Sequence, residues 1–409
     1  MRLLFASPRY GADISGGAEQ AVRELALRLR ERGHDVHVLS VCARSYVDWS
    51  DFYPPGDSVV EGIQVHRFRV DKRPIRGAAP GESPVPVYWR TTPWALAGYP
   101  MTGAGIWLQR HAGDYDVVIP YTYQHHTTWE SVMLSAAPTV LHPAAHPEPA
   151  LNASALDLLF HRVATVSVQT PEERDLIRWR FGLDDSRLAL SGMGVAALST
   201  TDAEVRAFRS SFGLGDAPYI VCVGRTDPAK GAPALVRQFV AWKERRPGAL
   251  RLVVVGEQVQ VIAPHPDVVA TGFVPAATRN AAVAGAELLV QPSPYESFSF
   301  VVAEAWLLGV PVLVQGESAV LRGQVARSGG GLAYVGASQL EAHLDRLLGD
   351  APLRRRMARA GAGYIAEHCD WGRFLDRYEQ LLGDVVERWG HWRSSTIDGL
   401  RRSAACPTT

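Results

Sequence analysis

The feature that most constrains this chain is a strand, a glycine-containing loop and a helix that occur in this order twice, about 200 residues apart. Residues 2–8 are mostly apolar and predict a buried strand, and a loop ending at Gly16 and Gly17 follows them. Residues 219–224 predict a second buried strand, which the polar loop 225–231 follows. Each loop precedes apolar residues spaced three and four apart, the spacing of an amphipathic helix. Strand–helix–strand units of this kind build parallel sheets covered by helices.

The repetition predicts an α/β fold with two doubly wound, Rossmann-like domains. A length of 409 residues suits two domains of about 200 residues each. Residues 191–217 contain few apolar runs and are the best candidate for the boundary, so we place an N-terminal domain at 1–200 and a second domain from 201 onward. Because ligands bind at the carboxyl ends of parallel strands, both glycine loops should face a cleft between the domains.

Composition excludes several classes of protein. Apolar residues make up 47% and charged residues 21% of the chain, which argues against disorder, collagen and coiled coils. The 42 basic residues equal the 42 acidic residues, so we expect no nucleic-acid partner. No stretch approaches the roughly 20 apolar residues of a membrane span, and we expect a cytoplasmic protein, monomeric or homodimeric. A weak peripheral membrane contact through Lys72, Arg73 and Arg76 stays open.

No metal site or disulfide framework is expected. The cysteines lie far apart and have no partners at metal-ligand spacing. Asp114 and Asp116 form a DxD pattern, but they directly precede an apolar run and read as the polar start of a buried strand. We therefore predict a metal-independent protein.

The second loop carries two cations that suit a diphosphate. Arg225 and Lys230 lie five residues apart at the carboxyl end of a predicted strand, and Gly231 precedes the next helix. Arginine offers a bidentate fork to phosphate and lysine a compact charge. The alternative is two solvated loop cations. Neither loop matches the GxGxxG or GxxxxGK[ST] pattern, which disfavours a classical dinucleotide fold and a P-loop enzyme.

The segment 291–309 carries the strongest signal. Its strand ends at a Pro-Ser pair, a loop then carries Glu296, and a helix predicted to begin near Ser299 contains Glu304 among apolar residues. A carboxylate there is costly unless it has a partner. Counting about 1.5 Å per residue puts the two carboxylates roughly 12 Å apart. The amides of Phe298 and Ser299 should lie at the helix N-terminus, where an anion is stabilised.

At these positions the chain resembles retaining glycosyltransferases of family 4, which have the GT-B fold of two Rossmann-like domains. The resemblance rests on 15–36, 223–231 and 292–314 and runs nearly end to end, while 320–334 resembles members from bacterial polysaccharide and secondary-metabolite gene clusters. Ser299 departs from the pattern, since most members have glycine there.

The resemblance implies a role for each matched residue. Glu304 should hold the ribose hydroxyls of a nucleotide and Glu296 a hydroxyl of the donor sugar. Arg225 and Lys230 should bind the diphosphate and stabilise charge on the leaving phosphate. Further contacts with the substrates are implied at Gly16 and Gly17 beside the phosphates or the acceptor, at Val274 beside the base, and at Phe298 and Ser299.

A histidine from the first domain should also lie near the donor sugar. His142 and His146 both qualify, and we favour His146 because it sits in a loop beyond the predicted strand. For either residue, a structural histidine is the alternative. The resemblance also implies that a helix over 371–392 passes back toward the first domain, which gives a second domain of 201–385 and a tail over 386–409.

The sequence therefore predicts a retaining glycosyltransferase that moves a sugar from a nucleoside-diphosphate sugar to a hydroxyl-bearing acceptor. No cofactor is needed beyond this co-substrate, and UDP or GDP is the expected nucleotide. Acceptor recognition is expected in 44–130. Two alternatives stay open: a GT-B-fold nucleotide-sugar epimerase, and a non-catalytic nucleotide- or sugar-binding protein.

Overall fold

The chain divides into two compact units. The structure, a computed structural model, describes residues 1–14, 16–46, 48–72 and 99–404. Unit 1 comprises Met1–Ser191 together with the chain from Leu375 onward, and unit 2 comprises Gly192–Phe374. The sequence predicted domain boundaries after residues 200 and 385, and in the structure the units change after residues 191 and 374. Arg73 and Arg76, from the suggested membrane contact, lie outside the described residues, as does 73–98 of the expected acceptor region.

Unit 1 alternates strands and helices along most of its length. Its elements are β1 (Arg2–Ala6), α1 (Gly17–Glu31), β2 (Asp35–Val41), β3 (Gly56–Val60), β4 (Ile63–Phe68), α2 (Ala104–His111), β5 (Val117–Pro120), α3 (His126–Leu134), β6 (Val140–Leu141), α4 (Ala155–Arg162), β7 (Thr165–Val168), α5 (Pro171–Phe181) and β8 (Leu188–Leu190).

Two sheets form the centre of unit 1. The first has the order β3-β4-β2-β1-β5, and all its neighbours are parallel except the β3–β4 hairpin at its edge. The second has the order β6-β7-β8 and is parallel. Isolated parallel bridges from Val118 to Thr139 and from Tyr121 to His142 join the two. The chain runs from β1 outward to β2 on one side and later returns to β5 on the other, so the strand order reverses at β1.

Unit 2 repeats the alternation. Its elements are α6 (Asp202–Ser211), β9 (Tyr219–Val223), α7 (Ala232–Arg245), β10 (Arg251–Val255), β11 (Val268–Gly272), α8 (Ala276–Ala284), β12 (Leu288–Gln291), α9 (Phe300–Leu307), β13 (Val312–Gln315), α10 (Ala319–Ser328), β14 (Gly331–Tyr334), α11 (Gly336–Gly349) and α12 (Ala351–His368).

Unit 2 is built on one six-stranded sheet in the order β11-β10-β9-β12-β13-β14, and every pairing in it is parallel. The central strand β9 is buried at all five positions, as a strand covered by helices on both faces must be. The order reverses between β9 and β12. This reversal is the point at which an open α/β sheet leaves a crevice for ligands.

The last helix, α13 (Trp371–Ala404), starts in unit 2 and continues in unit 1. Near its start, the Trp371 ring packs on Gly194, where an added Cβ would lie 2.3 Å from a ring carbon. Further along, the buried Tyr378 hydroxyl lies 2.7 Å from His142 Nε2 in the core of unit 1. The predicted helix over 371–392 is therefore confirmed, and it is longer than predicted.

The fold confirms the predicted class of two Rossmann-like α/β domains. The strands predicted at 2–8 and 219–224 are present as β1 and β9, with their ends shifted by one or two residues. The antiparallel strand β3 was not predicted. None of the helices in the described part of the chain is long and apolar enough to cross a membrane.

Candidate functional site

The loops that follow β9 and β12 lie side by side at the carboxyl edge of the unit 2 sheet. β9 and β12 are hydrogen-bonded neighbours, with Ile220 opposite Leu288. The loop after β9 carries Arg225 and Lys230, and the loop after β12 carries Glu296. The strand order reverses between these two strands, so the predicted residues meet where such sheets bind ligands.

An aspartate shapes the loop after β9. Asp227 caps a short 3-10 turn, Pro228–Lys230, by accepting a hydrogen bond from the Lys230 amide at 2.9 Å. The second carboxylate oxygen of Asp227 lies 3.2 Å from an Arg225 guanidinium nitrogen, and the Arg225 side chain is 53% exposed. Asp227 therefore restrains both cation-bearing positions, a role that the sequence did not reveal.

Gly231 lets the two loops approach each other closely. It adopts φ 76°, and an added Cβ would lie only 2.3 Å from the Pro292 carbonyl oxygen. A side chain here would therefore force the loops apart, and its backbone conformation would also be strained. Glycine is therefore needed at position 231 for a structural reason. Without a side chain there, the loop that carries Lys230 can approach the loop that carries Glu296.

Lys230 and Glu296 form an ion pair. Lys230 Nζ lies 3.0 Å from Glu296 Oε1, with the lysine side chain 38% exposed and the glutamate 11% exposed. Gln291, at the end of β12, donates to Glu296 Oε1 at 3.4 Å and to Ser299 Oγ at 3.2 Å. The structure thus brings together a predicted phosphate-binding cation and a predicted sugar-binding carboxylate, with Gln291 as a partner that the sequence analysis missed.

The turn into α9 departs from the predicted geometry. Ser299 is the N-cap residue in a left-handed conformation, φ 68° and ψ 81°, which explains why glycine suits this position. The helix begins at Phe300, so 296–299 are not helical and the separation of roughly 12 Å, obtained from helical rise, was wrongly derived. The Phe298 carbonyl accepts a hydrogen bond from buried Gln324 of α10, which fixes the segment ahead of the helix.

Glu304 lies inside α9, is only 9% exposed and pairs with an arginine. An Arg279 guanidinium nitrogen lies 3.1 Å from Glu304 Oε1. Glu304 is therefore not a solvated residue on the outer face of an amphipathic helix, and the cost of burying its carboxylate is offset by a cation. Arg279 is on α8, which follows the loop containing Val274, the residue predicted to flank the base.

The two glycines of the first loop lie at the start of α1 in unit 1. Gly16 is the N-cap residue with φ 151°, and Gly17 is the first helical residue. An added Cβ at Gly16 would lie 2.1 Å from a carboxylate oxygen of Glu19. Glu19 is buried and paired with Arg9 at 2.6 Å. The loop therefore has no space for a side chain at Gly16, and its carboxylate–guanidinium pair holds the start of α1.

The two candidate histidines have different environments. His142 is 1% exposed, and its ring stacks on that of Tyr121, with the centroids 4.8 Å apart. Burial lowers the pKa of His142 to about 3, so the ring is neutral at physiological pH. The burial of His142 favours the structural alternative for this histidine, and its role in substrate binding stays a prediction.

His146 lies in the loop after β6 and is 22% exposed, with Nδ1 3.4 Å from Glu148 Oε1. The loop is anchored by Glu173 of α5, whose carboxylate oxygens accept from the amides of Ala145 at 2.6 Å and Gln169 at 2.7 Å. Burial raises the pKa of Glu173 to about 8. Of the two predicted histidines, only His146 is partly exposed, and Glu173 anchors its loop through backbone hydrogen bonds that the sequence did not indicate.

Groups of three or more His, Cys, Asp or Glu side chains suited to a metal ion are absent from the described residues. In the DxD pattern, an Asp116 carboxylate oxygen accepts the Arg2 amide at 2.7 Å just before β5 starts, which is the structural role expected for it.

Two models of known protein families match this chain. A model described as "Glycosyl transferase 4-like domain" matches residues 16–194, and one described as "Glycosyl transferases group 1" matches residues 217–350. The chain belongs to the family 4 glycosyltransferases. The two matched ranges contain every predicted site residue of this glycosyltransferase.

Curated relatives match this glycosyltransferase over almost its whole length. Glycogen synthase of Mycobacterium tuberculosis is 27% identical over 403 residues, which cover 91% of this chain and 92% of the relative. A D-inositol 3-phosphate glycosyltransferase of Mycobacteroides abscessus is 25% identical over 447 residues, covering 96% and 93%. The match therefore spans both units.

The fold is that of solved GT-B enzymes. Anabaena HepE, whose structure was solved in complex with UDP and glucose, superimposes with a TM-score of 0.70 at 15% identity. The match covers 94% of this glycosyltransferase and 100% of that chain. Together with the two Rossmann-like units, this similarity confirms the GT-B fold.

Proposed function

We propose that this glycosyltransferase moves a sugar from a nucleoside-diphosphate sugar to a hydroxyl acceptor with retention of the anomeric configuration. The observation that carries the proposal is the ion pair of Lys230 and Glu296 at the strand reversal of unit 2, with Glu304 buried on the helix that follows. One cation for phosphate and two carboxylates for hydroxyl groups suit a ligand that carries both.

Two further findings support a nucleotide-sugar donor. The relatives described above are a glycogen synthase and a D-inositol 3-phosphate glycosyltransferase, and HepE was solved with UDP and glucose. None of the relatives described above is named as an epimerase or a binding protein, so the two alternatives receive no support. UDP and GDP remain the proposed nucleotides.

The proposed chemistry depends mainly on electrostatics. In the reaction, the bond between the anomeric carbon and the phosphate oxygen breaks, and a bond to the acceptor oxygen forms on the same face of the sugar. The acceptor proton moves to the departing phosphate oxygen. Negative charge grows on that phosphate, and Arg225 and Lys230 would stabilise it, because preorganised donors act most strongly where charge develops. The N-terminus of α9 would add to this effect, because a helix N-terminus stabilises an anion.

The carboxylates would orient the donor. Glu296 would accept a hydrogen bond from a sugar hydroxyl while staying close to Lys230, and Glu304 would accept from the ribose. The role that we propose for His146 is a contact with the donor sugar. Retaining hydrolases use a carboxylate as nucleophile about 5 Å from the acid/base group. Here Glu296 is already paired with a phosphate-binding cation, so we assign it to orientation.

The decisive experiment screens UDP, GDP and ADP by thermal shift and then assays the matching nucleotide sugars for donor hydrolysis and transfer. A ligand that binds the native state must raise the melting temperature. NMR of the first product formed should show the anomeric configuration of the donor. Inverted product would refute retention, and the absence of any nucleotide-dependent shift would refute the donor class.

A further inference from the structure

Arg279 is a cation that contacts a predicted substrate-binding carboxylate, Glu304, without having been predicted itself. It lies in the first turn of α8, where its amide bonds the Pro275 carbonyl at 2.9 Å. One guanidinium nitrogen reaches Glu304 Oε1 at 3.1 Å and Asn280 Oδ1 at 3.3 Å. The arginine side chain is 25% exposed and that of Glu304 9% exposed.

We infer that Arg279 is a positioning residue for the nucleotide, which holds the Glu304 carboxylate in the orientation that the ribose hydroxyls require. The inference rests on the proposed function, because it assumes that Glu304 binds ribose. It assigns to α8 a part in nucleotide recognition that acts through α9.

The physical reason is the position of Glu304 in an apolar helix. α9 has Val302, Ala303, Ala305 and Trp306 buried around the glutamate. A carboxylate in such a place favours the neutral form unless a cation is close, and the neutral form accepts hydroxyl hydrogen bonds poorly. Arg279 is an always-charged donor with a fixed planar fork, so it both supplies the charge and restricts the rotamer of its partner.

The pair also differs from an ordinary surface ion pair in its location. Arg279 follows the Val274 loop, Glu304 follows the Ser299 turn, and the two elements α8 and α9 lie on either side of β12 in the sequence. Both side chains therefore belong to segments that leave the carboxyl edge of the sheet or start beside it. Arg279 would affect a ligand bound to Glu304 at this edge indirectly, through the carboxylate that it contacts.

The test is a cycle between protein and ligand. Calorimetry would measure the Kd of wild type and Arg279→Leu for UDP or GDP, whichever wild type binds, and for the 2′,3′-dideoxy analogue of the same nucleotide. Hydrogen bonds to a charged group are worth about 1.5–3 kcal/mol, so removing the arginine should weaken the ribonucleotide about 10-fold or more. The dideoxy analogue keeps the base and diphosphate, and its Kd should be the same in both proteins.

Two further variants keep the result interpretable. Arg279→Lys retains a charge without the fork and should give an intermediate Kd for the ribonucleotide, which also covers the case in which the leucine variant fails to fold. Arg354→Leu is the matched control, because Arg354 pairs with Glu287 elsewhere in unit 2 and should leave both Kd values unchanged.

The outcomes separate the inference from the proposed function. Equal weakening of ribonucleotide and dideoxy analogue by Arg279→Leu, or no weakening of either, would overturn the positioning role while leaving nucleotide binding intact. If wild type binds no nucleoside diphosphate at all, the proposed donor class fails and the inference fails with it.

Discussion

Replacing Lys230 by alanine should abolish most of the transfer rate and leave the fold intact. The lysine is 38% exposed and pairs with Glu296 at 3.0 Å. An ion pair with a partly exposed partner contributes about 1 kcal/mol or less to stability. For a domain of the size of unit 2, such a loss lowers the melting temperature by about 2–4 °C. The effect on kcat should be far larger, because the charge that Lys230 is proposed to stabilise grows only as the donor bond breaks.

Removing one preorganised donor to a developing anion typically reduces the rate about 10²–10³-fold, or about 3–4 kcal/mol. Lys230→Arg should restore only part of it, since a planar fork does not replace a compact ammonium in the turn capped by Asp227. Arg225→Ala combined with Lys230→Ala should lose less than the sum of the single effects, because Asp227 contacts both residues and both would serve one diphosphate.

The assay is donor Kd by calorimetry beside single-turnover transfer, with thermal melts for each variant. The control is Arg245→Ala, which removes an exposed cation from an ion pair with Glu341 on the same unit, and which should leave kcat unchanged. A folded Lys230→Ala protein with the kcat of wild type would remove Lys230 from the chemistry.

Three other predictions concern the turns and one buried ring. Gly16→Ala should lower the melting temperature by displacing Glu19 from Arg9 and straining the backbone by about 1–3 kcal/mol, and an unchanged melt would contradict that packing. Ser299→Gly should be more stable to urea than Ser299→Ala by about 1–2 kcal/mol, because both lose the hydroxyl and only glycine relieves the positive φ; equal stabilities would refute the strain. His142, with its folded pKa lowered to about 3 against about 6.5 unfolded, stays neutral while the unfolded chain takes up a proton, so stability falls as pH drops below 6.5. Between pH 7 and pH 5, wild type should therefore lose about 2 kcal/mol more than His142→Gln in urea titrations, and parallel losses would show that the ring titrates freely.

Most of the fold was predictable because buried parallel strands have a strong local signal. Residues 219–223 are apolar throughout and all are buried, so their sequence pattern needs no tertiary information to interpret. Leu288–Gln291 is likewise buried at every position, and only its last residue is polar. The edge strand β3 gave no such signal, because its residues are mostly exposed and its pairing with β4 depends on a hairpin rather than on a buried face.

The site was predictable where its residues share a motif and not where they meet only in space. Lys230 and Glu296 each follow a strand, and the parallel sheet brings such positions together. Arg279 lies on a different helix from its partner Glu304, and nothing in the spacing along the chain indicates the contact. The buried environment of His142 was not predictable, because the sequence shows a histidine at a strand end but not the Tyr378 hydroxyl that contacts it from a helix far along the chain.

Because α13 contributes Tyr378 and Arg388 to unit 1, the first unit to leave the ribosome is the last one that can be completed. Arg388 donates hydrogen bonds to the Ser186 carbonyl at 3.1 Å and the Thr165 hydroxyl at 3.2 Å. The Tyr378 hydroxyl that contacts His142 comes from the same helix. Unit 2 is one continuous segment, Gly192–Phe374, and can therefore fold during synthesis without residues from a later part of the chain. In a nascent chain that lacks α13, unit 2 would therefore be folded while unit 1 would still lack the helix that completes its core. Chaperones and proteases would encounter the chain in this state.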